Sequence, residues 1–246
     1  MSGWTAKRFW AAAHIDPLGE GFGIRLDNRV VKTPAKSPLV VPTLAMAQAI
    51  AQEWDAQIGK VDPETMPVTR AANAAIDKVA TQFDEVVELL AAYGDTDLLC
   101  YRATGPEELV ARQAELWDPL LAWSADSLGA PLIATAGVMH IDQPPESLAR
   151  LTATVAAMDN FRLTGFHDLV AISGSLVLAL AVVGGRLDAA GAWALSRLDE
   201  TWQAELWGRD EDAEAAEALR LASFVQAERF YRLCESREAP PRRADA

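Results

Sequence analysis

Near its start the chain alternates apolar and polar positions with a period of two. Phe22, Ile24 and Leu26 lie on one side, with Gly23 and Arg25 on the other, which is the pattern of a half-buried β-strand. Asp27-Asn28 follows and reads as a hairpin turn, because both residue types tolerate the backbone angles such turns need. Arg29 to Thr33 is the expected return strand, and Leu39 to Val41 is a further short extended run between Pro38 and Pro42. Gly19, Gly21 and Gly23 suggest tight bends. A few antiparallel strands are too little to be stable alone, so this region should pack on the rest of the chain or curl into a small barrel-like unit.

After Pro42 the period changes to that of a helix. Thr43 can cap a helix whose apolar face is Leu44, Ala47, Ala51, Trp54 and Ile58, with Gly59 ending it. Phe83, Val86, Val87 and Leu90 make a second such face. Pro106 opens a third helix containing Leu109, Leu116, Trp117, Leu120 and Trp123, which Pro119 should kink or split. Leu132 to Ile141 reads as a short strand or an extended link, and Pro144-Pro145 opens a helix reaching about Asp159. Leu163 to Val183 reads as one buried helix closed by Gly184-Gly185. Its most apolar part, Leu169 to Val183, is too short to cross about 30 Å of hydrocarbon. Ala189 to Gly208 and Glu211 to Cys234 supply two more helices. The expected class is α+β, with a β-rich N-terminal module over residues 1–42, an all-helical domain over 43–236 and a disordered tail over 237–246.

Composition narrows the partners. Half of the 246 residues are hydrophobic, enough for a sizeable core, and the net charge is −13. Such a surface repels phosphate backbones and anionic lipid heads, so neither nucleic acid nor membrane insertion is expected. Cys100 and Cys234 both lie in apolar-periodic segments and are expected to be buried free thiols. Met1 to Trp10 lacks the apolar core of a signal peptide and the Arg- and Ser-rich pattern of a transit peptide, so the expected location is the bacterial cytoplasm.

The search for chemistry is mostly negative. His14, His140 and His167 have no metal-binding spacing, neither cysteine lies in a C-x-x-C, and no nucleophile elbow or phosphate loop is present. Gly19 to Gly23 precedes a strand rather than opening a helix, so it offers no helix N-terminus to a phosphate. Gly174-Ser175 reads as a close-packing point inside an apolar helix. No cofactor, metal or catalytic residue is assigned. Asp199-Glu200 and the acids from Asp210 to Glu214 could share protons if buried, which leaves open an enzyme using paired carboxylates on an unknown small substrate. On an exposed helix they are a solvated acidic face.

The tryptophans point elsewhere. There are eight: Trp4, Trp10, Trp54, Trp117, Trp123, Trp193, Trp202 and Trp207. Tryptophan fills cores and also anchors partners. The segment Asp199 to Gly208 mixes Trp202 and Trp207 with Asp199, Glu200 and Glu205, and its spacing puts Trp202 and Glu205 near one face. An aromatic and acidic face of this kind suits a docking site.

A set of short motifs then completes a pattern along nearly the whole chain: Lys7-Arg8-Phe9-Trp10, Leu26-Asp27, Lys32-Thr33-Pro34, Leu39 to Thr43, Glu53-Trp54-Asp55, Met66 to Thr69, Thr96 to Tyr101, Gln113, Trp117-Asp118-Pro119, and Glu200, Gln203 and Trp207-Gly208. In order and spacing these resemble the ATP synthase assembly chaperones that act on the alpha subunit of the catalytic head. The resemblance implies a β-rich N-terminal module, a helical C-terminal domain and a non-enzymatic function. That function is to hold free alpha subunit soluble, as a monomer in a transient complex, until beta subunits replace the chaperone. It implies that Trp54 matches a tryptophan whose alteration impairs family members. It also implies an important acid before Trp207; Glu200 is the best match, with Asp199 and Glu205 as alternatives. Family members in eukaryotes work in mitochondria.

Overall fold

In a computed structural model of the chain, residues 7–208 and 210–235 are described. They form two compact units. The first holds residues 7–82, 160–164 and 229–235; the second holds 83–159 and 165–228. Trp4 and the tail over 237–246 lie outside the described residues.

In the first unit, β1 (Ala13–Leu18), β2 (Gly21–Leu26), β3 (Arg29–Val30) and β4 (Val40–Val41) make an antiparallel sheet with β2 in the middle. The alternation on Phe22, Ile24 and Leu26 does face the core, and Asp27 takes the left-handed conformation, φ 51°, at the Asp27-Asn28 turn. The Asp27 carboxylate accepts from the backbone N–H groups of Ala11 and Ala12, which holds it below the usual carboxylate range. The return strand stops at Val30, short of Thr33. Strand β1 was not expected, because Pro17 and weak alternation hide it, and it pairs with β2 through a two-residue turn, Leu18 opposite Gly21. Of the three nearby glycines only Gly19 bends the chain, at φ +63°. Gly21 lies in β2, where a Cβ would meet the Val41 carbonyl oxygen at 2.6 Å.

Helix α1 (Leu44–Asp55) follows, and the Thr43 hydroxyl accepts from Met46 N–H while donating to the Leu233 carbonyl at 2.6 Å. It buries Ala47, Ile50, Ala51 and Trp54, but it ends before Ile58, which is 91% exposed. Helix α2 (Pro67–Asp77) escaped the sequence reading because its buried face is mostly alanine and valine: Val68, Ala72 and Ala75. The motif Glu53-Trp54-Asp55 ties these pieces together. Glu53 accepts from Val68 N–H, Thr69 N–H and the Thr69 hydroxyl at the start of α2, and Asp55 accepts from Ala13 N–H at the start of β1. Between them Trp54 is buried edge-on against Trp10, ring centroids 5.3 Å apart.

The second unit is helical: α3 (Phe83–Ala91), α4 (Glu107–Leu128), α5 (Pro145–Ala156), most of α6 (Asn160–Ser173), α7 (Leu176–Val183), α8 (Ala189–Ser196), α9 (Leu198–Trp207) and the larger part of α10 (Glu211–Glu235). Pro119 does not split α4, which runs on to a left-handed Gly129 cap. Leu132 to Ile141 does contain a short strand, β6 (Thr135–Ala136), parallel to β5 (Tyr101–Arg102).

The expected single helix from Leu163 to Val183 is two helices. Gly174, at φ +73°, and Ser175, which caps α7, break it. The break is held by Asp97, a fully buried carboxylate that accepts from Leu99 N–H, Val177 N–H and the Ser175 hydroxyl at 3.0, 2.9 and 2.7 Å. Burial pushes the Asp97 carboxyl up from its ordinary range, against the pull of those donors. Likewise Ala189 to Gly208 is two helices, α8 and α9. Cys100 and Cys234 are both buried and neither is in a disulfide, and burial pushes the Cys100 thiol up to about 12. Among the described residues no helix is long and apolar enough to cross a membrane.

Candidate partner-binding site

Helix α9 carries five of the candidate residues, and the structure sorts them. Leu198 buries the start of the helix. Helix α4 lies alongside and presents Arg112, Gln113 and Trp117. Gln113 is buried; it accepts from Ala103 N–H with its Oε1 and donates from Nε2 to Asp199 Oδ1 at 2.7 Å. Asp199 is therefore half-buried and engaged in holding α9 on α4. Arg112 reaches Glu205 with both terminal nitrogens, at 2.7 and 3.1 Å, and its guanidinium lies 5.9 Å from the Trp202 ring centre. Trp202 and Glu205 thus do share a face.

Glu200 is exposed. It pairs with Arg197 at 2.9 Å, one turn before it, and that guanidinium lies over the Trp193 ring. Trp193 in turn contacts Phe224 in the core. Glu200 therefore sits at the solvent end of a chain of contacts whose base is fixed. Asp199 and Glu200 edge a cleft of about 250 Å³ whose floor includes Trp117 and Leu98. The Trp117 indole N–H donates to the Leu195 carbonyl at 3.0 Å. That volume is below the usual range for small-molecule sites, and the acids at its rim already have partners.

At its far end α9 opens to solvent. Trp207 is 79% exposed and Leu206 57% exposed, just before Gly208. By contrast Trp10, Trp54, Trp117 and Trp193 are buried, and Trp123 and Trp202 are half-buried. Trp54 lies in the first unit, away in sequence from all of these, as a core residue. The roles of Arg112 and Arg197 were missed from sequence. Arg197 was legible as a partner three residues before Glu200. Arg112 was not, since 93 positions separate it from Glu205. Among the described residues no group of three or more His, Cys, Asp or Glu could hold a metal ion.

Residues 7–125 match the model of the ATP12 chaperone protein family. The chain is 28% identical over 221 residues to the mitochondrial protein atp12 of Schizosaccharomyces pombe, covering 84% of this chain and 75% of that one. It is 54% identical to Atp12 of Paracoccus denitrificans, whose crystal structure superposes with a TM-score of 0.92 over 94% of this chain and 100% of that one. A putative chaperone from Agrobacterium tumefaciens is 43% identical, with a TM-score of 0.88 over 92% of this chain and 85% of that one. The motifs, the strand-then-helix architecture and these likenesses agree, and the chain belongs to the ATP12 family of ATP synthase assembly chaperones.

Proposed function

We propose that this chain binds the free alpha subunit of the ATP synthase catalytic head, keeps it from aggregating, and releases it to beta subunits. The observation that carries this reading is the exposed pair Leu206 and Trp207 at the end of a helix that also bears the exposed acids Glu200, seven residues before Trp207 and on its face, and Glu205. An unassembled subunit exposes apolar surface meant for its neighbours, and such surface aggregates. A chaperone that covers it needs an apolar anchor ringed by charge, and affinity low enough for displacement. Glu200, Glu205 and Trp207 are proposed to meet the client, while Asp199 and Trp202 position the helix.

The chain acts without catalysis and without a cofactor. In support, its relatives are named chaperones, and the acids around the cleft are committed to protein partners. It works as a monomer in the bacterial cytoplasm, a location supported by its high identity to the Paracoccus and Agrobacterium proteins. The test is co-expression with alpha subunit alone. Soluble alpha should rise severalfold over alpha without the chain, and no gain would refute the reading.

A further inference from the structure

Helix α10 begins with ten residues, 211–220, all of which are exposed. That is about 15 Å of helix whose side chains all face solvent. Tertiary packing stabilises most helices, and here little side-chain surface is buried to supply it. The local sequence makes up the difference. Asp210 caps the helix by accepting from Ala213 N–H at 2.8 Å, Glu211, Asp212 and Glu214 favour the positive end of the helix dipole, and Ala213, Ala215, Ala216 and Ala218 are strong helix formers. This stretch is built to stay helical in water.

Two features show what it is built for. The first is unsatisfied apolar surface: Leu219 is 72% exposed, and the preceding helix ends on the exposed pair Leu206 and Trp207. The second is unsatisfied charge. Asp199, Glu200 and Glu205 have partners on the protein, but no cation of the described chain pairs with Glu211, Asp212 or Glu217. The negative charge is also concentrated in this unit. Residues 83–159 and 165–228 hold 24 acids and 7 bases, whereas the rest of the chain has more bases than acids.

We infer that the arm formed by residues 206–208 and 210–220 is the docking element that first captures the client, by meeting a lysine- and arginine-bearing protein surface that has a recess for an indole. A second copy of this chain carries a net charge of −13 and is repelled overall, and the experiment checks whether its more basic portion meets the arm. Nucleic acid and anionic lipid carry phosphates and would be repelled too. A basic protein surface complements the unpaired acids, and Trp207 and Leu219 supply the buried contact that charge alone does not. The inference rests on alpha subunit being the client, and it moves the first contact from the internally paired acids of α9 to the unpaired ones of α10.

The experiment immobilises the full chain and measures its capture of alpha subunit diluted from urea, at low and at high salt. The first variant combines Glu211→Gln, Asp212→Asn and Glu217→Gln; the second is Trp207→Ala. All these side chains are exposed and the Asp210 cap, Glu214 and the alanines remain, so melting should match wild type and helix content should fall only slightly. The triple variant should associate about tenfold more slowly at low salt and equally fast at high salt. Trp207→Ala should bind about 30-fold more weakly through faster dissociation. Wild-type kinetics in both variants would overturn the arm while leaving alpha binding intact. Failure of the wild-type chain to capture alpha at all would overturn the reading beneath it. Self-association that Trp207→Ala abolishes would assign the arm to a second copy and likewise overturn the inference.

Discussion

Gln113 donates to Asp199 across 2.7 Å, and the amide is buried while the acid is half-exposed. The neighbouring acid, Glu200, has only a surface pair with Arg197. Two adjacent acids are thereby given different work. Charge reversal separates them. Asp199→Lys leaves a buried amide facing an ammonium and should cost about 2 kcal/mol, or roughly 4–8 °C in melting temperature. Glu200→Lys removes an exposed pair worth about 1 kcal/mol or less, so it should melt nearly as wild type does and yet protect alpha subunit poorly. Thermal melts beside an aggregation assay of alpha decide it. A large fall in melting temperature for Glu200→Lys would make that residue structural.

Asp97 is the hinge pin of the second unit. It joins the turn at Leu98–Cys100 to the start of α7, and it does so with both carboxylate oxygens. Asp97→Asn keeps the shape but turns one acceptor into a donor facing N–H groups. The expected loss is about 2 kcal/mol. Ser175→Ala should cost less, about 1 kcal/mol, because it removes the cap hydroxyl while Asp97 keeps its backbone donors. Denaturant unfolding of the two variants gives the comparison, and equal losses would show that the hydroxyl, not the carboxylate geometry, governs the break.

The parts of the fold that were legible in the sequence are those whose signals are local. Phe22, Ile24 and Leu26 announce a strand by alternation, and Thr43 announces a helix by its cap. The parts that were not legible depend on partners far along the chain. The break at Gly174 reads as helix until Asp97, 78 positions from Ser175, supplies the acceptor that stabilises the new start. Helix α2 hides because alanine gives a weak apolar face, and its first turn is capped by Glu53 from α1. At the site, the mixture of tryptophan and acid on α9 was visible. Which acid is free to meet a partner was not, because Gln113 and Arg112 come from α4.

His167 gives a pH signature. Its Nδ1 lies 2.9 Å from Asp168, whose carboxylate raises the imidazole from its ordinary value of 6.5. A raised value in the folded state means that the pair's contribution is complete below the unfolded value. It is lost as pH rises through the folded value. Melting temperature should therefore drift down as pH rises above about 6.5, and His167→Asn should remove that part of the drift. Parallel slopes in the two proteins across that range would show that the pair contributes nothing. Because the ring is partly exposed, the effect should shrink in high salt.

Trp54 tests whether the first unit and the client site are separate. The indole is 4% exposed and packs edge-on against Trp10, between Glu53, which caps α2, and Asp55, which holds the start of β1. A guanidinium placed there has no anion within the apolar cluster to meet it. Trp54→Arg should therefore cost about 3–5 kcal/mol, a large share of the stability of a domain. Trp54→Phe, which keeps an aromatic ring against Trp10, should cost about half as much. The expected outcome is that protection of alpha subunit falls in proportion to the unfolded fraction and recovers in Trp54→Phe at a temperature where that variant is folded. If Trp54→Arg melts normally and still fails to protect alpha, then Trp54 acts on the client directly and its core placement is not the cause.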